Sequence, residues 1–438
     1  MEDIIRELRG RKIAIYGFGR EGKSTYKIIR KYLKSEEILI MDKNINSIFE
    51  ESKMKIENDK KTRILADENL KVLEEYDLIF KTPGISFNGK KIDKIKGKIT
   101  SQLQMFLKYA KVYTIGVTGT KGKSTTSSLI YQILKDQEKK TCLIGNIGVP
   151  VFEEIENIEK MDYAVIEISA HQLEFIHNSP NIAVLLNLFE EHLDHFGTYQ
   201  KYINAKLNIF RFQEKKDFAV YNTDSKVVVE NVDNLSVISN KMGVATKTAK
   251  KQFTFDFNEK RYLIGKHNEI NIMFALTVAK ILRLNENQTN ETIYEFKSLP
   301  HRMEFIGKFN GVDYYNDSIS TIPEATIACV NSIKNTSTVI IGGLDRGVSY
   351  NELIQFLQKS NLDNIICMST TGKKIYDIIK DKCKANVEYF ETLEECVKKA
   401  KEVTIKNKAC IFSPAAASYN MFKNFEQRGD AFKALVKS

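Results

Sequence analysis

A loop rich in glycine and lysine interrupts the middle of this 438-residue sequence. It reads Thr118-Gly119-Thr120-Lys121-Gly122-Lys123-Ser124-Thr125 and lies between an apolar strand-like segment and a segment with helical periodicity. Backbone N–H groups and a helix N-terminus could cradle a phosphate there, with Lys123 at the outer phosphates and Ser124 or Thr125 on Mg²⁺. Val117 occupies the position of the first glycine in the strict P-loop pattern. A glycine-rich turn with a surface lysine is the alternative, but the strand-loop-helix setting favours a phosphate site.

Possible metal ligands follow this loop. Glu167 ends the apolar segment DYAVIEIS, which a parallel sheet would place beside the loop. Its carboxylate suits Mg²⁺, although a helix cap explains the position equally well. His192 and His195 in FEEHLDHF could bind a metal or serve packing. Lys206 lies among apolar neighbours in YINAKLNIF, where an ordinary lysine would still keep its charge in water. Position alone leaves these roles open.

A second glycine pattern occurs near the N-terminus. Gly17-Phe18-Gly19-Arg20-Glu21-Gly22 follows a strand-like segment and opens a helix-like one, and Asp42 closes the next strand twenty residues beyond Gly22. This is the full dinucleotide-binding pattern, and alone it indicates an NAD-dependent dehydrogenase. The same geometry binds any pyrophosphate, however, and a dehydrogenase would not need the loop at Lys123. A nucleoside diphosphate ligand, with Asp42 near its ribose or base, fits as well.

Alternating apolar strands and amphipathic helices surround both loops. The strand-like segments KIAIYGFG, ILIMD and DLIFKTPGI come first, YTIGVT, DYAVIEIS and NIAVLLNL follow, and VDYYNDS, STVIIGGL, NIICMST and ACIFSPA come after Pro300. Helical periodicity separates them, which predicts α/β units with parallel sheets. We expect three domains: a Rossmann-like domain at 1–107, a central P-loop-type ATPase domain at 108–299, and a doubly wound domain at 300–438.

Composition narrows the function classes. Hydrophobic residues make up 42% and charged residues 28%, as in a globular protein with a sizeable core. The six cysteines are scattered without zinc or disulfide spacing, and no signal peptide or membrane span is evident, so a cytoplasmic protein is expected. The net charge of +10 comes from lysines interleaved with acids, which favours a solvated surface over a nucleic-acid footprint. A basic P-loop module that binds nucleic acid is the non-enzymatic alternative.

Seven segments together resemble the Mur ligases. In order along the chain they are GTKGKST, EISAHQLE, EEHLDHFGTYQKYINAKLNIF, GKHNEINI, LPHRMEF, NDSIST and SPAAASYNMFKNFEQRG. The last segment is most similar to the D-glutamate-adding member. The resemblance implies a monomeric cytoplasmic ligase that consumes ATP, uses two Mg²⁺ ions, and joins D-glutamate to UDP-N-acetylmuramoyl-L-alanine through an acyl phosphate. The same chemistry with L-glutamate or another amino acid is the alternative.

The resemblance also assigns roles to residues. It implies catalytic roles for Lys123, Glu167, His192, Lys206 and Arg302. It implies ATP binding by Gly119, Thr120, Lys121, Gly122, Lys123, Ser124, Thr125, Asn268, Asn271, Arg302 and Asp317. It implies metal binding by Ser124, Glu167, His192 and Lys206 as a carbamate. It implies UDP-substrate binding by Gly17, Arg20, Glu21, Asp42, Thr82, Gly84 and Asn146, and amino-acid binding by Thr321, Arg346, Ser418 and Phe425.

One position departs from the family pattern. Ile319 of NDSIST stands where typical D-glutamate ligases carry a lysine that meets a substrate carboxylate. An aliphatic side chain cannot pair a carboxylate, so the amino acid would depend on Arg346, hydroxyl groups and backbone N–H groups. Folate polyglutamylating enzymes share the central motif but are not expected to carry the N-terminal domain, and the Asp-Asn-Pro-Arg motif of the diaminopimelate-adding type does not occur in the sequence.

Overall fold

The computed structural model describes residues 1–44, 56, 59–66, 69–146, 149–246, 252–419 and 421–438. Within these residues the strands form three sheets of five, six and six strands. Asn420, which belongs to the last of the seven family segments, lies outside the described residues. The chain divides into two compact units. The first consists of Met1–Phe257 and Ile270–Ile293, and the second of Asn258–Glu269 and Tyr294–Ser438.

The first sheet lies in the first unit. Its strands are β1 (Ile13–Tyr16), β2 (Ile38–Met41), β3 (Thr62–Leu65), β4 (Leu78–Lys81) and β5 (Ile99–Thr100), paired in parallel in the order β3-β2-β1-β4-β5. β1, β2 and β4 are buried at every position, as expected for apolar parallel strands covered on both faces. The neighbouring α-helices are Glu2–Leu8, Arg20–Tyr32 and Gln102–Tyr109. The strand order reverses between β1 and β4, where ligands of such sheets bind.

The second sheet, also in the first unit, carries the central loop. Its strands are β6 (Tyr113–Thr118), β7 (Thr141–Gly145), β8 (Tyr163–Glu167), β9 (Ile182–Leu185), β10 (Phe218–Asn222) and β11 (Asn240–Val244), all parallel in the order β11-β10-β9-β6-β8-β7. The associated helices are Lys123–Asp136, Val151–Ile158, Ala170–Leu173, Leu193–Phe196, Tyr199–Arg211, Lys226–Asn234, Lys266–Ile281 and Glu286–Glu295. β6 lies between β8 and β9, so the loops after these three strands meet at one edge.

The third sheet belongs to the second unit. Its strands are β12 (Glu304–Phe309), β13 (Val312–Asn316), β14 (Thr336–Gly342), β15 (Asn364–Met368), β16 (Asn386–Phe390) and β17 (Ala409–Phe412), in the order β12-β13-β17-β14-β15-β16. Only the β12–β13 pair is antiparallel among the described strands of this sheet. The helices are Pro323–Ser332, Asn351–Lys359, Ser369–Ile379, Leu393–Val403 and Phe425–Lys437. The strand order reverses between β14 and β17.

The structure confirms the strands and helices that the apolar segments predict, and it adds others. The strands at the edges of the three sheets (β3, β5, β7, β11, β12 and β16) were not predicted, and neither was β10. Of these, β12 is only partly buried, and β16 begins exposed and continues half-buried. Edge strands of this kind lack the continuous apolar run of a central strand. In the described part of the chain, no helix has the length and apolar character that crossing a membrane requires.

Candidate active site

The central loop curls under the N-terminus of the helix Lys123–Asp136. β6 ends at Thr118, and Gly122 immediately precedes the helix with φ of +88°. A Cβ on Gly122 would lie 2.5 Å from Oδ1 of Asn271, so both the backbone conformation and the packing require glycine. The first N–H groups of the helix have no partner within the helix itself, which makes this turn suited to an anion.

Two lysine amines share one acceptor in this loop. Nζ of Lys123 donates to the carbonyl oxygens of Gly119 and Thr120, both at 3.0 Å. Nζ of Lys206, from the helix Tyr199–Arg211, donates to the same Gly119 oxygen at 2.9 Å and to Oγ1 of Thr118 at 3.3 Å. Lys206 is only 1% exposed. Burial, reinforced by the charge of Lys123, lowers the pKa of Lys206 well below its usual value and so favours a neutral amine.

Glu167 lies beside the loop as its position in the sequence predicts. The parallel register pairs Val117 of β6 with Glu167 of β8. The side chain of Glu167 is 1% exposed, and its Oε1 accepts a hydrogen bond from Nδ2 of Asn146 at 2.7 Å. Its Oε2 has no hydrogen-bond partner among the described residues. A buried carboxylate oxygen without a partner is costly, and a bound cation would satisfy it. Glu167 also acts electrostatically on Lys206 by raising its pKa, so the two groups are near each other.

His192 stands at the start of the helix Leu193–Phe196, in a left-handed conformation with φ of +58°. Its ring lies 4.6 Å from that of His171, measured between centroids. Partial burial lowers the pKa of His192, and the nearby Glu191 opposes this shift. Neutral imidazole is the form that binds metals. Among the described residues no three His, Cys, Asp or Glu side chains gather as a metal-binding group, so a metal here needs other ligands as well.

His195 packs against the same His171 ring, with 4.3 Å between the centroids, and it also contacts a pair of charged residues that the sequence did not reveal. Its Nε2 lies 3.1 Å from Oε2 of Glu174, and the same carboxylate oxygen lies 3.1 Å from Nζ of Lys81. Lys81 is buried at the end of β4 and immediately precedes Thr82. Sequence spacing gives no hint that residues so far apart meet. This cluster therefore links the turn at Thr82 to the histidine segment, and it satisfies His195 without a metal.

The N-terminal glycine loop packs against the turn after β4. Gly17 has φ of +91°, and a Cβ there would lie 2.0 Å from Oγ1 of Thr82. Asp42 braces the loop, because its Oδ2 accepts from the backbone N–H of Phe18 at 2.7 Å. Arg20 and Gly84 are exposed. The loop, Thr82 and Asp42 thus meet where the order of the first sheet reverses.

Glu21 is a partly exposed residue whose carboxylate faces the second sheet's elements. Its Oε1 accepts from Nε2 of Gln172 at 2.8 Å, and burial of the carboxyl raises its pKa. The side chain of Glu21 is therefore already engaged by protein. Its position is compatible with a role in holding the glycine loop as well as with ligand contact.

Candidate residues of the second unit gather at the C-terminal edge of the third sheet. Asp317 follows β13 and is 4% exposed. Its carboxylate accepts hydrogen bonds from the N–H of Met303 at 3.1 Å and from Oγ of Ser413 at 2.8 Å. Burial raises the pKa of this carboxyl. Ser418 is buried in the segment after β17, whereas Arg346 is exposed in the segment after β14. These segments flank the reversal between β14 and β17.

The remaining candidates are more varied in their surroundings. Thr321 and Arg302 are half-buried. The Phe425 ring is half-buried and packs edge-on at 6.1 Å from that of His301. Asn268 is buried, and its Nδ2 donates to the carbonyl oxygen of Ile264 at 2.7 Å.

Known proteins resemble this chain in sequence and in fold. Residues 117–279 match the profile of the Mur ligase middle domain, and residues 301–416 match that of the Mur ligase glutamate ligase domain. The UDP-N-acetylmuramoylalanine–D-glutamate ligase of Acetivibrio thermocellus is 32% identical over 100% of this chain and 98% of its own length. The ligase of the same name from Clostridium kluyveri is 31% identical over 99% and 98%. A crystal structure of the MurF ligase of Thermotoga maritima in complex with ADP shares the fold, with a TM-score of 0.59 at 17% identity over 100% and 99% of the two chains.

Proposed function

Because this chain belongs to the Mur ligase family, we propose that it is an ATP-dependent ligase that joins D-glutamate to UDP-N-acetylmuramoyl-L-alanine in peptidoglycan precursor synthesis. The full-length relatives named for that reaction support the substrates. The observation that carries the chemistry is the buried amine of Lys206, which shares the Gly119 carbonyl with Lys123 beside the open carboxylate oxygen of Glu167. L-glutamate or another amino acid is the alternative co-substrate, because of Ile319.

The central loop is proposed to bind the phosphates of ATP. Its residues Gly119 to Thr125 offer helix N-terminal N–H groups, and Lys123 can leave its carbonyl partners for a phosphate oxygen. Ser124 and Glu167 fit a first Mg²⁺, since hydroxyl and carboxylate oxygens are the ligands this ion prefers. His192 fits a second. Mg²⁺, when bound, neutralises the charge that develops during phosphoryl transfer. The lactoyl-alanine carboxylate attacks the γ-phosphorus of ATP and releases ADP, and the glutamate amine then displaces inorganic phosphate from the acyl phosphate to form the amide.

Lys206 is proposed to act as a carbamate. Burial favours its neutral amine, and only that form can attack CO₂. The new N–C bond releases one proton and turns a potential cation into a carboxylate. Such a group can share a divalent metal, and it would relieve the crowding of two amines on one carbonyl oxygen. A buried lysine beside Lys123 is otherwise difficult to explain, because it adds positive charge where the site is already basic.

The other substrates are proposed to bind at the two remaining sheets, in a three-domain arrangement with boundaries near 107 and 300. The UDP moiety fits the first sheet at Gly17, Arg20, Glu21, Asp42, Thr82 and Gly84, with Asn146 nearer the metal because it binds Glu167. The family resemblance assigns Asn268, Asn271, Arg302 and Asp317 to ATP, and Thr321, Arg346, Ser418 and Phe425 to the amino acid. The thiols of all six cysteines are free, which suits an enzyme of the reducing cytoplasm.

The direct test is ADP and amide formation with the purified protein, ATP, Mg²⁺, UDP-N-acetylmuramoyl-L-alanine and either D- or L-glutamate. Phosphate release should require both the sugar nucleotide and the amino acid, and D-glutamate should have the higher kcat/KM. Lys123→Met should lower turnover by about 100-fold or more, whereas Lys139→Met, at an exposed lysine, should retain it. Phosphate release that is independent of both co-substrates would contradict the proposal.

A further inference from the structure

Arg428 is one of the largest fully buried side chains among the described residues, with 1% of its surface exposed. It lies in the helix Phe425–Lys437. Its Nη1 donates to the carbonyl oxygens of Ala416 and Ala417 at 3.0 and 3.1 Å. Its Nη2 donates to the carbonyl oxygen of Ser318 at 2.8 Å, and its Nε donates to Oγ of the same serine at 3.1 Å. One guanidinium thus joins the segments that follow β13 and β17.

These contacts reach a third segment. The Ala417 carbonyl oxygen also accepts from the N–H of Leu344 at 2.8 Å, so it is shared between Arg428 and the segment after β14. A Cβ on Gly343 would lie 3.0 Å from Nη1 of Arg428, which leaves little room between them. The segments that carry Thr321, Arg346 and Ser418 therefore converge on Arg428.

The charge of Arg428 has no acidic partner in the part of the chain that the structure describes. No carboxylate among the described residues lies within ion-pair distance of the guanidinium, and its acceptors are neutral carbonyl and hydroxyl oxygens. Burial lowers the pKa of Arg428 to about 10, which still leaves it protonated at neutral pH. A buried cation without a counter-ion is expensive to maintain, so an anion brought by a substrate is a natural complement.

The hydrogen bonds of Arg428 polarise the peptide units that accept them. A carbonyl that accepts from a cation polarises its whole peptide unit and makes the N–H of that unit a stronger donor. The Ala417 carbonyl shares its peptide unit with the N–H of Ser418. The Ser318 carbonyl shares its unit with the N–H of Ile319, which is used locally because it donates to the His301 carbonyl at 3.2 Å. Ser418 is thus one residue through which the charge can act on a ligand.

We propose that Arg428 is a positioning residue for the incoming amino acid: it aligns the segments bearing Thr321 and Ser418, and it strengthens the Ser418 N–H as a donor to a substrate carboxylate. This inference rests on the proposed function and deepens it. It supplies, through the backbone, positive potential that the aliphatic Ile319 cannot provide. A carboxylate-bearing amino acid is therefore favoured over a neutral one of similar size.

The test compares steady-state kinetics of Arg428→Lys, Arg428→Met and Ser318→Ala with wild type. Arg428→Lys keeps the charge but loses the forked contacts, and Ser318→Ala removes one acceptor while the charge stays. The KM for glutamate should rise about 10-fold or more in Arg428→Lys and further in Arg428→Met, with the KM values for ATP and the sugar nucleotide changing less than about twofold. Ser318→Ala should raise the KM for glutamate about threefold or more by the same reasoning.

Arg30→Lys is the matched control. Arg30 is a largely buried arginine of the first unit that binds Asp59 and the carbonyl oxygens of Leu33 and Glu36. Its substitution should leave the KM for glutamate unchanged. Thermal unfolding of every variant shows which are folded, and if neither Arg428 variant folds, the KM of Ser318→Ala decides.

Two outcomes would overturn the inference. One is a KM for glutamate within about twofold of wild type in the folded variants, and the other is an equal rise in all three KM values, which a purely structural role would produce. A wild-type protein without glutamate-dependent phosphate release would instead refute the proposed function. The kinetics of the wild type therefore separate the two failures.

Discussion

Substitution of Glu167 by glutamine should reverse the order of stability between wild type and variant when Mg²⁺ is added. Oε1 of Glu167 accepts from Asn146 at 2.7 Å, and an amide oxygen can keep that bond. Oε2 has no partner in the described part of the chain, and a buried unpartnered carboxylate oxygen costs about 1–3 kcal/mol or more. A neutral amide costs less in the same place. We therefore expect Glu167→Gln to raise the free energy of unfolding by about 1–2 kcal/mol in EDTA, or about 2–8 °C in Tm for the first unit.

Mg²⁺ with a non-hydrolysable ATP analogue should change that order. At 100 times Kd, a ligand stabilises the folded state by about 2.7 kcal/mol, and only wild type should gain this increment. The assay is thermal unfolding followed by circular dichroism, in EDTA and then with Mg²⁺ and the analogue. Glu21→Gln is the control, because the carboxylate of this partly exposed residue already accepts a hydrogen bond from Gln172, and the Mg²⁺ increment of the variant should equal that of wild type. An Mg²⁺ increment retained in Glu167→Gln, or a lower stability of that variant in EDTA, would refute the metal-ligand reasoning.

Three further predictions concern the central loop and Lys206, whose amine contacts it. Lys206→Ala should lose about 100-fold or more in kcat and partly regain it with added short carboxylates, and unimpaired turnover would contradict the carbamate. In protein free of metal and CO₂, the lowered pKa of Lys206 means that the unfolded state binds more protons than the folded state. The free energy of unfolding of wild type, relative to that of Lys206→Met, should therefore rise as the pH approaches 10.5, by at most about 1.4 kcal/mol per pH unit. Chemical denaturation measures this difference, and a difference that does not change with pH would refute the prediction. Gly122→Ala should lower the free energy of unfolding by at least about 1–2 kcal/mol, or weaken nucleotide binding by the same free energy. Gly97→Ala is the control, because a Cβ at Gly97 has open space around it, and equal behaviour of the two variants would argue against a turn that requires glycine.

Much of the fold follows from local pattern. Apolar runs such as Ile13–Tyr16 and Ile38–Met41 are strands, and the periodic segments between runs are helices, because burial on both faces leaves a recognisable signature. The strand-loop-helix around Gly122 and the placement of Glu167 beside β6 were also predictable, since parallel strands bring their C-terminal ends to one edge. Partly exposed edge strands such as β12 were not, because their pairing depends on a neighbour and not on their own composition.

The sequence by itself determined the motifs, the alternation of strands and helices, and the family to which the chain belongs. Only the tertiary structure decided that Lys206 and Lys123 share one carbonyl oxygen and that one carboxylate oxygen of Glu174 lies 3.1 Å from both His195 and Lys81. It also decided that Arg428 connects three segments with no acidic partner among the described residues. The physical reason is that burial, pKa and hydrogen-bond satisfaction depend on groups far apart along the chain. Local spacing can therefore predict which residues carry chemistry, but it cannot predict which of them meet.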